Sequence, residues 1–279
     1  MSNTMTLESR FADIGGGCRL HYHDVGQGMP VVFLHGSGPG ASSLSNFRGN
    51  YAYLVERGYR AILVDSLGYG QSSKPLDGGY HLNGLNAALS RFLDAIGVAE
   101  CAVVGNSLGG AMALRLAIDE PKRVRAVVAL APGGLAGKDA YFRMSGIQKL
   151  FEVAMKGAQA TVEDMRALFS LQLHDATQLS PALLEERLAV AKTQPKEVFL
   201  GLRVPDLSGE LDLLQCPVLA FWGANDNFCP IETSPILLEK VPQARIVQVT
   251  RCGHWVQVEY PELFNETTAA FLQNACGTR

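Results

Sequence analysis

Short, almost continuously apolar runs alternate along the chain with longer stretches in which apolar residues recur at helical spacing. The apolar runs have the length of β-strands and fall at residues 30–34, 61–64, 101–104, 124–131 and 218–222. Strands that are apolar on both faces are typical of a parallel sheet covered by helices on each side. The helical stretches cover residues 82–96, 108–118, 231–240 and 261–273. The alternation therefore predicts an α/β fold with a doubly wound, mostly parallel sheet.

Two strands before this series, and one after it, complete the predicted sheet. Residues 9–14 and 19–25 alternate between apolar and polar positions and are joined by three glycines at residues 15–17. This pattern predicts an antiparallel hairpin at the edge of the sheet. Residues 245–249 form the last predicted strand, near the C-terminus.

The strand–helix rhythm is interrupted between residues 137 and 209. This stretch has no convincing strand and contains several amphipathic helices, one of which is preceded by Thr161 and Asp164 at capping-box spacing. A helical insert in an α/β core is most simply a lid over the active site. We therefore expect a core formed by residues 1–136 and 210–279, and a helical lid formed by residues 137–209.

Composition and charge narrow the range of partners. Hydrophobic residues make up 47% of the 279 positions and charged residues 18%, so the chain can bury a large core. The net charge is −3, and no basic run is interleaved with aromatic residues, which argues against nucleic acid as a partner. No apolar run approaches the roughly 18 residues of a membrane helix. Residues 1–11 lack the basic and apolar regions of a secretion signal, so a cytoplasmic location is expected.

The six cysteines are scattered and none forms a CxxC pair. Disulfide frameworks are typical of small secreted chains, so free thiols in a reducing compartment are expected. Zinc sites need cysteine and histidine clustered at short spacings, which this chain does not offer. No metal or organic cofactor is therefore expected.

Ser107 has the sequence context of a catalytic nucleophile. It lies in Gly-Asn-Ser-Leu-Gly, residues 105–109, directly after a predicted buried strand and before a predicted helix. Glycines on either side permit the sharp, strained turn of a nucleophile elbow, and the N–H of Leu108 can then face a developing oxyanion. A GxSxG match alone could be an ordinary turn, but the strand before it and the helix after it favour a nucleophile.

His254 and Asp226 are the expected base and acid. His254 follows the last predicted strand, and Asp226 follows the strand at residues 218–222. A serine needs a base to attack at neutral pH, and the base needs an acid to orient it. Taken alone, each could be structural. Together with Ser107, however, they have the nucleophile–acid–base order of α/β-hydrolases.

The glycine-rich loop at residues 35–40 follows the strand at residues 30–34. We assign the N–H of Ser37 as the second oxyanion donor, since this loop supplies it in α/β-hydrolases. A phosphate-binding loop is the rival interpretation, but neither GxGxxG spacing nor GK[ST] is present. His35 is expected to brace the loop. Asp65 precedes the serine in the chain, and a structural turn is the better interpretation for it.

Arg187 is a cation on the apolar stripe of a predicted lid helix. It is four residues after Leu183 and four before Ala191, which both belong to that stripe. Burial of an unpaired charge is costly, so the guanidinium needs an anion. It could reach solvent or pair with a neighbouring glutamate, or it could hold a substrate carboxylate in a bidentate contact. Spacing alone does not separate these interpretations.

Three motifs together resemble one family. They are HGSGPGASSLSNF at residues 35–47, GNSLGG at residues 105–110 and CGHWVQVEYPELFN at residues 252–265, and residues 183–195 are a looser match in the lid. The chain resembles the α/β-hydrolases that cleave carbon–carbon bonds in meta-cleavage products of aromatic degradation. The likeness extends over nearly the whole chain and is strongest in the core.

The resemblance implies a substrate and a mechanism. The substrate would be a 2-hydroxy-6-oxohexa-2,4-dienoate, and the products would be 2-hydroxypenta-2,4-dienoate and a carboxylic acid. The bound dienol would be ketonised by protonation at C5, with His254 moving protons, before Ser107 attacks the C6 carbonyl. Cleavage through an acyl-enzyme and cleavage through a water-derived gem-diol are both compatible with this set. The residues implied to hold the carboxylate and 2-oxo end are Gly38, Asn46, Asn106, Arg187 and Trp255.

The C6 substituent is less defined than the dienoate end. In the aryl-specific members of the family, the lid and the loop after the acid line the substituent pocket with large apolar groups. Here the loop after Asp226 keeps one aromatic, Phe228, and the more polar residues 171–174 align with an aromatic-rich run. Phenyl, alkyl and steroid-derived substituents remain open, and overall likeness to the aryl and steroid branches favours a bulky one. The family resemblance also implies a homo-oligomer.

Two alternative functions use the same residues. A carboxylesterase or lactonase would need the triad but not a cation in the lid. A ligand receptor that turns over slowly would retain the triad with little activity. A haloalkane dehalogenase is disfavoured because its nucleophile would be aspartate, and position 107 is serine.

Overall fold

A computed structural model describes residues 7–277 of the chain. Most of the N-terminal segment that suggested the absence of a secretion signal lies outside the described residues. Eight strands form one sheet: β1 Arg10–Asp13, β2 Arg19–Val25, β3 Met29–Leu34, β4 Tyr59–Val64, β5 Cys101–Asn106, β6 Val124–Leu130, β7 Val218–Gly223 and β8 Ala244–Val249.

The sheet is mostly parallel, as the sequence pattern predicts. Its strand order is β1-β2-β4-β3-β5-β6-β7-β8. Strands β3 to β8 are parallel to one another, whereas β1 pairs with β2, and β2 with β4, in antiparallel fashion. Because β5 and β7 are buried at every position, both faces of the sheet must be covered. The predicted hairpin and its place at the edge are confirmed.

Twelve α-helices lie within the described residues. In the core they are α1 Ser43–Phe47, α2 Tyr51–Val55, α3 Leu82–Ala95, α4 Leu108–Asp119, α10 Pro235–Lys240, α11 Val256–Glu259 and α12 Pro261–Cys276. Between β6 and β7 they are α5 Lys138–Phe142, α6 Ser145–Lys156, α7 Val162–Phe169, α8 Pro181–Ala191 and α9 Glu197–Gly201.

The observed helices differ from the predicted ones in two ways: one predicted helix is interrupted, and three short helices were not predicted. The helix expected over residues 231–240 is interrupted, because a 3-10 turn at Ile231–Thr233 ends before Pro235, which begins α10. Proline lacks the N–H that would extend a helix through it. Helices α1, α2 and α11 were not predicted, since four or five residues are too few to display a helical period.

Helices α5 to α9 fall within residues 137–209, where the lid is expected, and all of them lie between β6 and β7. Thr161 caps α7 through the expected reciprocal contact with Asp164. Within the described part of the chain, the only backbone pairing of strand type made by this segment is an isolated bridge between His81 and Arg203. No helix in residues 7–277 has the length and apolar character needed to cross a bilayer.

Candidate active site

Ser107 occupies a strained turn between β5 and α4. Its φ of 57° and ψ of −114° lie in a region that L-residues rarely adopt. The turn is tight because α4 packs against β5, and a Cβ on Gly105 would overlap the backbone of Gly109. Leu108 is the first residue of α4, so its N–H has no acceptor within the helix. The geometry is that of a nucleophile elbow.

His254 and Asp226 form a buried pair at the ends of neighbouring strands. Nδ1 of His254 lies 2.7 Å from Oδ2 of Asp226, and both side chains are almost fully buried. The other carboxylate oxygen, Oδ1, accepts hydrogen bonds from the N–H groups of Phe228 at 2.7 Å and Cys229 at 3.0 Å. The carboxylate is therefore held by three contacts, and it fixes the orientation of the imidazole. Phe228 stacks on the imidazole, with ring centroids 4.9 Å apart.

The segment after α7 is hydrogen-bonded to the loops that carry His254 and Asp226. The backbone carbonyl of Gln172 accepts hydrogen bonds from the N–H of His254 at 2.7 Å and of Trp255 at 3.3 Å. Asn227, next to Asp226, donates through Nδ2 to the carbonyl of Leu171 at 3.2 Å. The segment after α7 is therefore held in a fixed position relative to the His–Asp pair.

Arg187 is buried on α8 without an acidic partner. Only 1% of the residue is exposed, and no carboxylate of the described residues forms an ion pair with it. Its guanidinium donates to the carbonyl of Pro39 at 3.3 Å, to Oγ of Ser45 at 2.9 Å and to Oδ1 of Asn46 at 3.0 Å. Burial lowers the pKa of Arg187 to about 9, against the attraction of more distant carboxylates.

Aromatic rings and the glycine-rich loop enclose the guanidinium. It lies 4.9 Å from the centroid of Phe169 and 5.7 Å from that of Trp255, within the range of cation–π contacts. Gly40, with φ of 72°, lies against the backbone of Arg187, and a Cβ there would overlap the Arg187 carbonyl. The loop at residues 35–40 and helix α8 are therefore in direct backbone contact.

A chain of amides connects the Arg187 guanidinium to Ser107. Asn46 accepts from Arg187 through Oδ1 and donates through Nδ2 to Oδ1 of Asn106 at 3.2 Å. Asn106 donates to the carbonyl of Leu130 at 3.3 Å and directly precedes Ser107. Both asparagines are nearly fully buried, so their amides have little freedom to reorient.

Two cavities meet at Ser107. The smaller one contains the polar groups and is lined by Gly36, Ser37, Gly38, Asn46, Asn106, Ser107, Ile147, Leu150, Gln172, Arg187, Phe228, His254 and Trp255. We call it the polar cavity. The second, which we call the apolar cavity, has a volume of about 670 Å³ and shares Ser37, Ser107 and Ile147 with the first. Its wall includes the aromatic side chains of Tyr141, Phe142, Phe151 and Phe199.

The site residues expected from the sequence lie together around Ser107, and all but two of them line the polar cavity. Every one of them except Asp226 and Leu108 lines the polar cavity; Asp226 lies behind His254, and Leu108 lines the apolar cavity. Phe228, expected near the C6 substituent, lies on the polar cavity, stacked on His254.

The expected role of residues 171–174 differs from what the structure shows. The sequence comparison placed them in the substituent pocket, but none of them lines the apolar cavity. Gln172 lies instead on the polar cavity. The reason is the hydrogen bonding of its backbone to the His254 loop, which directs this segment to the other side of Ser107.

His35 and Asp65 have structural roles. His35 is buried, with Nδ1 2.7 Å from the carbonyl oxygen of Gly36, and its Nε2 accepts the N–H of Ser66 at 3.0 Å. Burial lowers the pKa of its imidazole. Asp65 accepts from the N–H of Ser43 at 3.0 Å and pairs with His21. Both residues therefore brace loops, as expected.

Three contacts at the site were not predicted. Ser45 and Phe169 contact the guanidinium, and only the Ser45 contact lies within a motif that resembles the family. Cys229 lines the apolar cavity beside Ser107. Burial and the charge of Asp226 raise the pKa of the Cys229 thiol, opposed by a hydrogen bond with Ser107, so the thiol stays neutral.

Within residues 7–277, no three His, Cys, Asp or Glu side chains are grouped to hold a metal ion.

The chain is similar to known hydrolases over most of its length. A family model described as the alpha/beta hydrolase fold matches residues 29–261. A 2-hydroxy-6-oxo-6-phenylhexa-2,4-dienoate hydrolase of Burkholderia cepacia is 34% identical over 268 residues, 92% of each chain. A 2-hydroxy-6-oxononadienedioate/2-hydroxy-6-oxononatrienedioate hydrolase of Pseudomonas putida is 34% identical over 281 residues, 95% of this chain and 96% of that one. A solved meta-cleavage product hydrolase from Pseudomonas fluorescens IP01 superposes with a TM-score of 0.84 at 25% identity, covering 96% of this chain and 98% of that one.

Proposed function

The chain belongs to the α/β-hydrolase fold family and, within it, to the meta-cleavage product hydrolases, and on that premise we propose how its residues divide the work. It is a hydrolase that cleaves the C5–C6 carbon–carbon bond of a 2-hydroxy-6-oxohexa-2,4-dienoate. The observation that carries the assignment of residues is Arg187, a buried cation with no acidic partner among the described residues, on the same cavity as Ser107. Such a cation needs an anion, and the dienoate carboxylate supplies one.

The polar cavity holds the carboxylate and 2-oxo end of the substrate. Arg187 binds the carboxylate, since a guanidinium matches the geometry of a carboxylate and the cavity is shielded from water. Gly38 allows close approach, because a Cβ there would lie 3.1 Å from Nη2 of Arg187. Asn46, Asn106 and Trp255 complete this end of the cavity. The C6 carbonyl then lies at Ser107, where the two cavities meet.

The reaction begins with ketonisation. The 2-hydroxyl loses its proton and C5 gains one, with His254 moving protons and Asp226 stabilising the imidazolium. The product is a 2-oxo compound with a saturated C5. Ketonisation prepares C5 to leave, because electrons released from the C5–C6 bond can then be delocalised to the 2-oxygen.

Carbon–carbon cleavage follows at C6. Ser107 adds to the C6 carbonyl and gives its proton to His254, and the N–H groups of Ser37 and Leu108 stabilise the oxyanion. When the oxyanion collapses, the C5–C6 electron pair forms the C4=C5 bond and the 2-oxygen takes up a proton, releasing 2-hydroxypenta-2,4-dienoate. Water activated by His254 then releases the carboxylic acid from Ser107. In the gem-diol route, water itself adds to C6 and the same residues serve.

The apolar cavity accepts the C6 substituent. Its volume of about 670 Å³ and its aromatic wall suit a bulky apolar group. Two exposed cations, Lys138 and Arg203, also line the apolar cavity. The lining of this cavity contains no acidic residue. A substituent with a carboxylate at its far end would therefore also be accommodated, as in the nonadienedioate named for the Pseudomonas putida relative.

Stopped-flow absorbance tests this assignment directly. The dienolate band of a 6-phenyl dienoate should bleach on mixing with the protein, with release of benzoate. Alkyl, steroid-derived and nonadienedioate analogues run alongside define the substituent. Ser107→Ala should bind the same substrates without releasing acid. Rapid hydrolysis of p-nitrophenyl esters with no bleaching of any dienoate would favour an esterase. Absence of activity on both the esters and the dienoates would favour a ligand receptor.

Separate variants test whether the apolar cavity accepts a substituent that carries a carboxylate. With Lys138→Gln and Arg203→Gln combined, kcat/KM for the nonadienedioate should fall by about threefold to tenfold, because exposed charge contacts are worth about 1 kcal/mol. The value for the 6-phenyl dienoate should stay within twofold. Equal changes on both substrates would show that the two cations do not contact the substituent.

A further inference from the structure

Gln172 lines the polar cavity and carries a buried side-chain oxygen that has no hydrogen-bond partner among the described residues. The residue is 3% exposed, and Oε1 of its side chain is buried without a hydrogen-bond partner in the described residues. A buried amide oxygen left without a partner costs about 1–3 kcal/mol, so native proteins rarely retain one without a reason. Gln172 lines the same cavity as Arg187 and Ser107.

The position of this amide is fixed relative to the catalytic base. The carbonyl of Gln172 accepts from the N–H groups of His254 and Trp255, and the neighbouring carbonyl of Leu171 accepts from Asn227. The backbone of Gln172 is therefore tied to the loops of both the base and the acid. The side chain of Gln172 therefore starts from a backbone position that is fixed beside the cavity.

The other amides of the polar cavity are already engaged. Asn46 uses its oxygen for Arg187 and its nitrogen for Asn106, and Asn106 uses its nitrogen for the carbonyl of Leu130. Arg187 provides only donors, which suit a carboxylate. A hydroxyl on the substrate needs a hydrogen-bond acceptor. Oε1 of Gln172 has no hydrogen-bond partner among the described residues, so it can be that acceptor.

We propose that Gln172 positions the dienoate by hydrogen bonding to its 2-oxygen, accepting from the 2-hydroxyl of the dienol and donating to the 2-oxo group of the ketone. This inference rests on the proposed dienoate function. A glutamine amide presents an acceptor and a donor, and a half-turn about its last bond exchanges them. The 2-oxygen changes from donor to acceptor on ketonisation and receives negative charge when the C5–C6 bond breaks. One amide therefore serves both tautomers and the developing enolate.

The test is a comparison between the substrate and an analogue that lacks the 2-oxygen. Gln172→Met keeps the backbone carbonyl and a similar volume but removes both hydrogen-bonding groups. In wild-type protein and in Gln172→Met, kcat/KM is measured with the 6-phenyl dienoate, and the dissociation constants of the dienoate product and its 2-deoxy analogue are measured by titration. Gln178→Met, an exposed position in the same segment, is the matched control.

The expected result is a loss confined to ligands that carry the 2-oxygen. Gln172→Met should lower kcat/KM for the dienoate about tenfold or more and raise the dissociation constant of the dienoate product about fivefold. The dissociation constant of the 2-deoxy analogue should change less than twofold. Gln178→Met should behave as wild type. Gln172→Asn, which retains the amide on a shorter side chain, should recover part of the loss.

Three outcomes would overturn the proposal. Equal weakening of the product and the 2-deoxy analogue would assign Gln172 a packing role only. An unchanged kcat/KM would show that its amide does not contact substrate. If Gln172→Met is poorly folded, Gln172→Leu, which also lacks both hydrogen-bonding groups, carries the same comparison. If the wild-type protein neither binds nor cleaves any dienoate, the proposed function fails and this inference fails with it.

Discussion

Replacement of Arg187 by methionine should remove dienoate turnover while leaving the stability of the protein nearly unchanged. The drop in pKa from 12.5 to about 9 corresponds to roughly 5 kcal/mol of cost for the charged guanidinium. Three hydrogen bonds, at about 1 kcal/mol each, and two cation–π contacts, at about 1 kcal/mol each, offset most of that cost. The balance is close to zero, so the free energy of unfolding should change by less than about 2 kcal/mol.

The effect on activity should be much larger. Loss of one partner from a buried, hydrogen-bonded charge pair costs about 2–5 kcal/mol, which corresponds to roughly 30- to 4000-fold in kcat/KM. The assay is bleaching of the 6-phenyl dienoate, with p-nitrophenyl acetate as a substrate that has no carboxylate. Hydrolysis of the ester by Arg187→Met should fall far less than cleavage of the dienoate. Urea unfolding of the same samples gives the stability.

Two results would refute this reasoning. A fall of 3–5 kcal/mol in the free energy of unfolding would mean that Arg187 is held by a stabilising partner and is structural. Equal losses on the dienoate and the ester would mean that the guanidinium does not contact a substrate carboxylate, and the esterase interpretation would gain.

Two further predictions concern the backbone. Ser107 has a positive φ that glycine adopts without strain, so Ser107→Gly should raise the free energy of unfolding by about 1 kcal/mol in urea titrations. Ser107→Ala, which should be equally inactive, should not raise it. Equal stability of the two variants would contradict the proposed strain at this residue. Gly40→Ala should lower stability by about 2 kcal/mol or more and reduce dienoate turnover, because its Cβ would push against Arg187. The control is Gly49→Ala, where a Cβ meets nothing within 4 Å and the change should stay within about 0.5 kcal/mol.

Most of the fold could be predicted because its signals are local. Apolar runs on strands such as β5 and β7 indicate burial on both faces, and Thr161 with Asp164 marks the start of α7. The elbow at Ser107 is a turn within five residues. Helices of four or five residues, such as α1 and α11, were missed because they are shorter than two helical turns.

The candidate site could be predicted only in part. Ser107, Asp226 and His254 could be named because each follows a strand, and parallel strands end at the same edge of a sheet. Spacing placed Arg187 on an apolar stripe but left open whether it pairs with a glutamate, reaches solvent or binds a substrate. In the structure its neighbour Glu186 pairs with Arg48, and the Arg187 guanidinium has no carboxylate partner among the described residues.

The sequence by itself determined the order of elements, the strained turn at Ser107 and the family, because each depends on neighbouring residues or on motifs. Only the tertiary structure decided which side of Ser107 each lid residue faces. Gln172 lies on the polar cavity because its carbonyl binds the His254 loop, more than 80 residues away. Cys229 and Arg203 reach the apolar cavity from separate segments. Cavity walls are built from segments far apart in the chain, so no local pattern records which of them will meet.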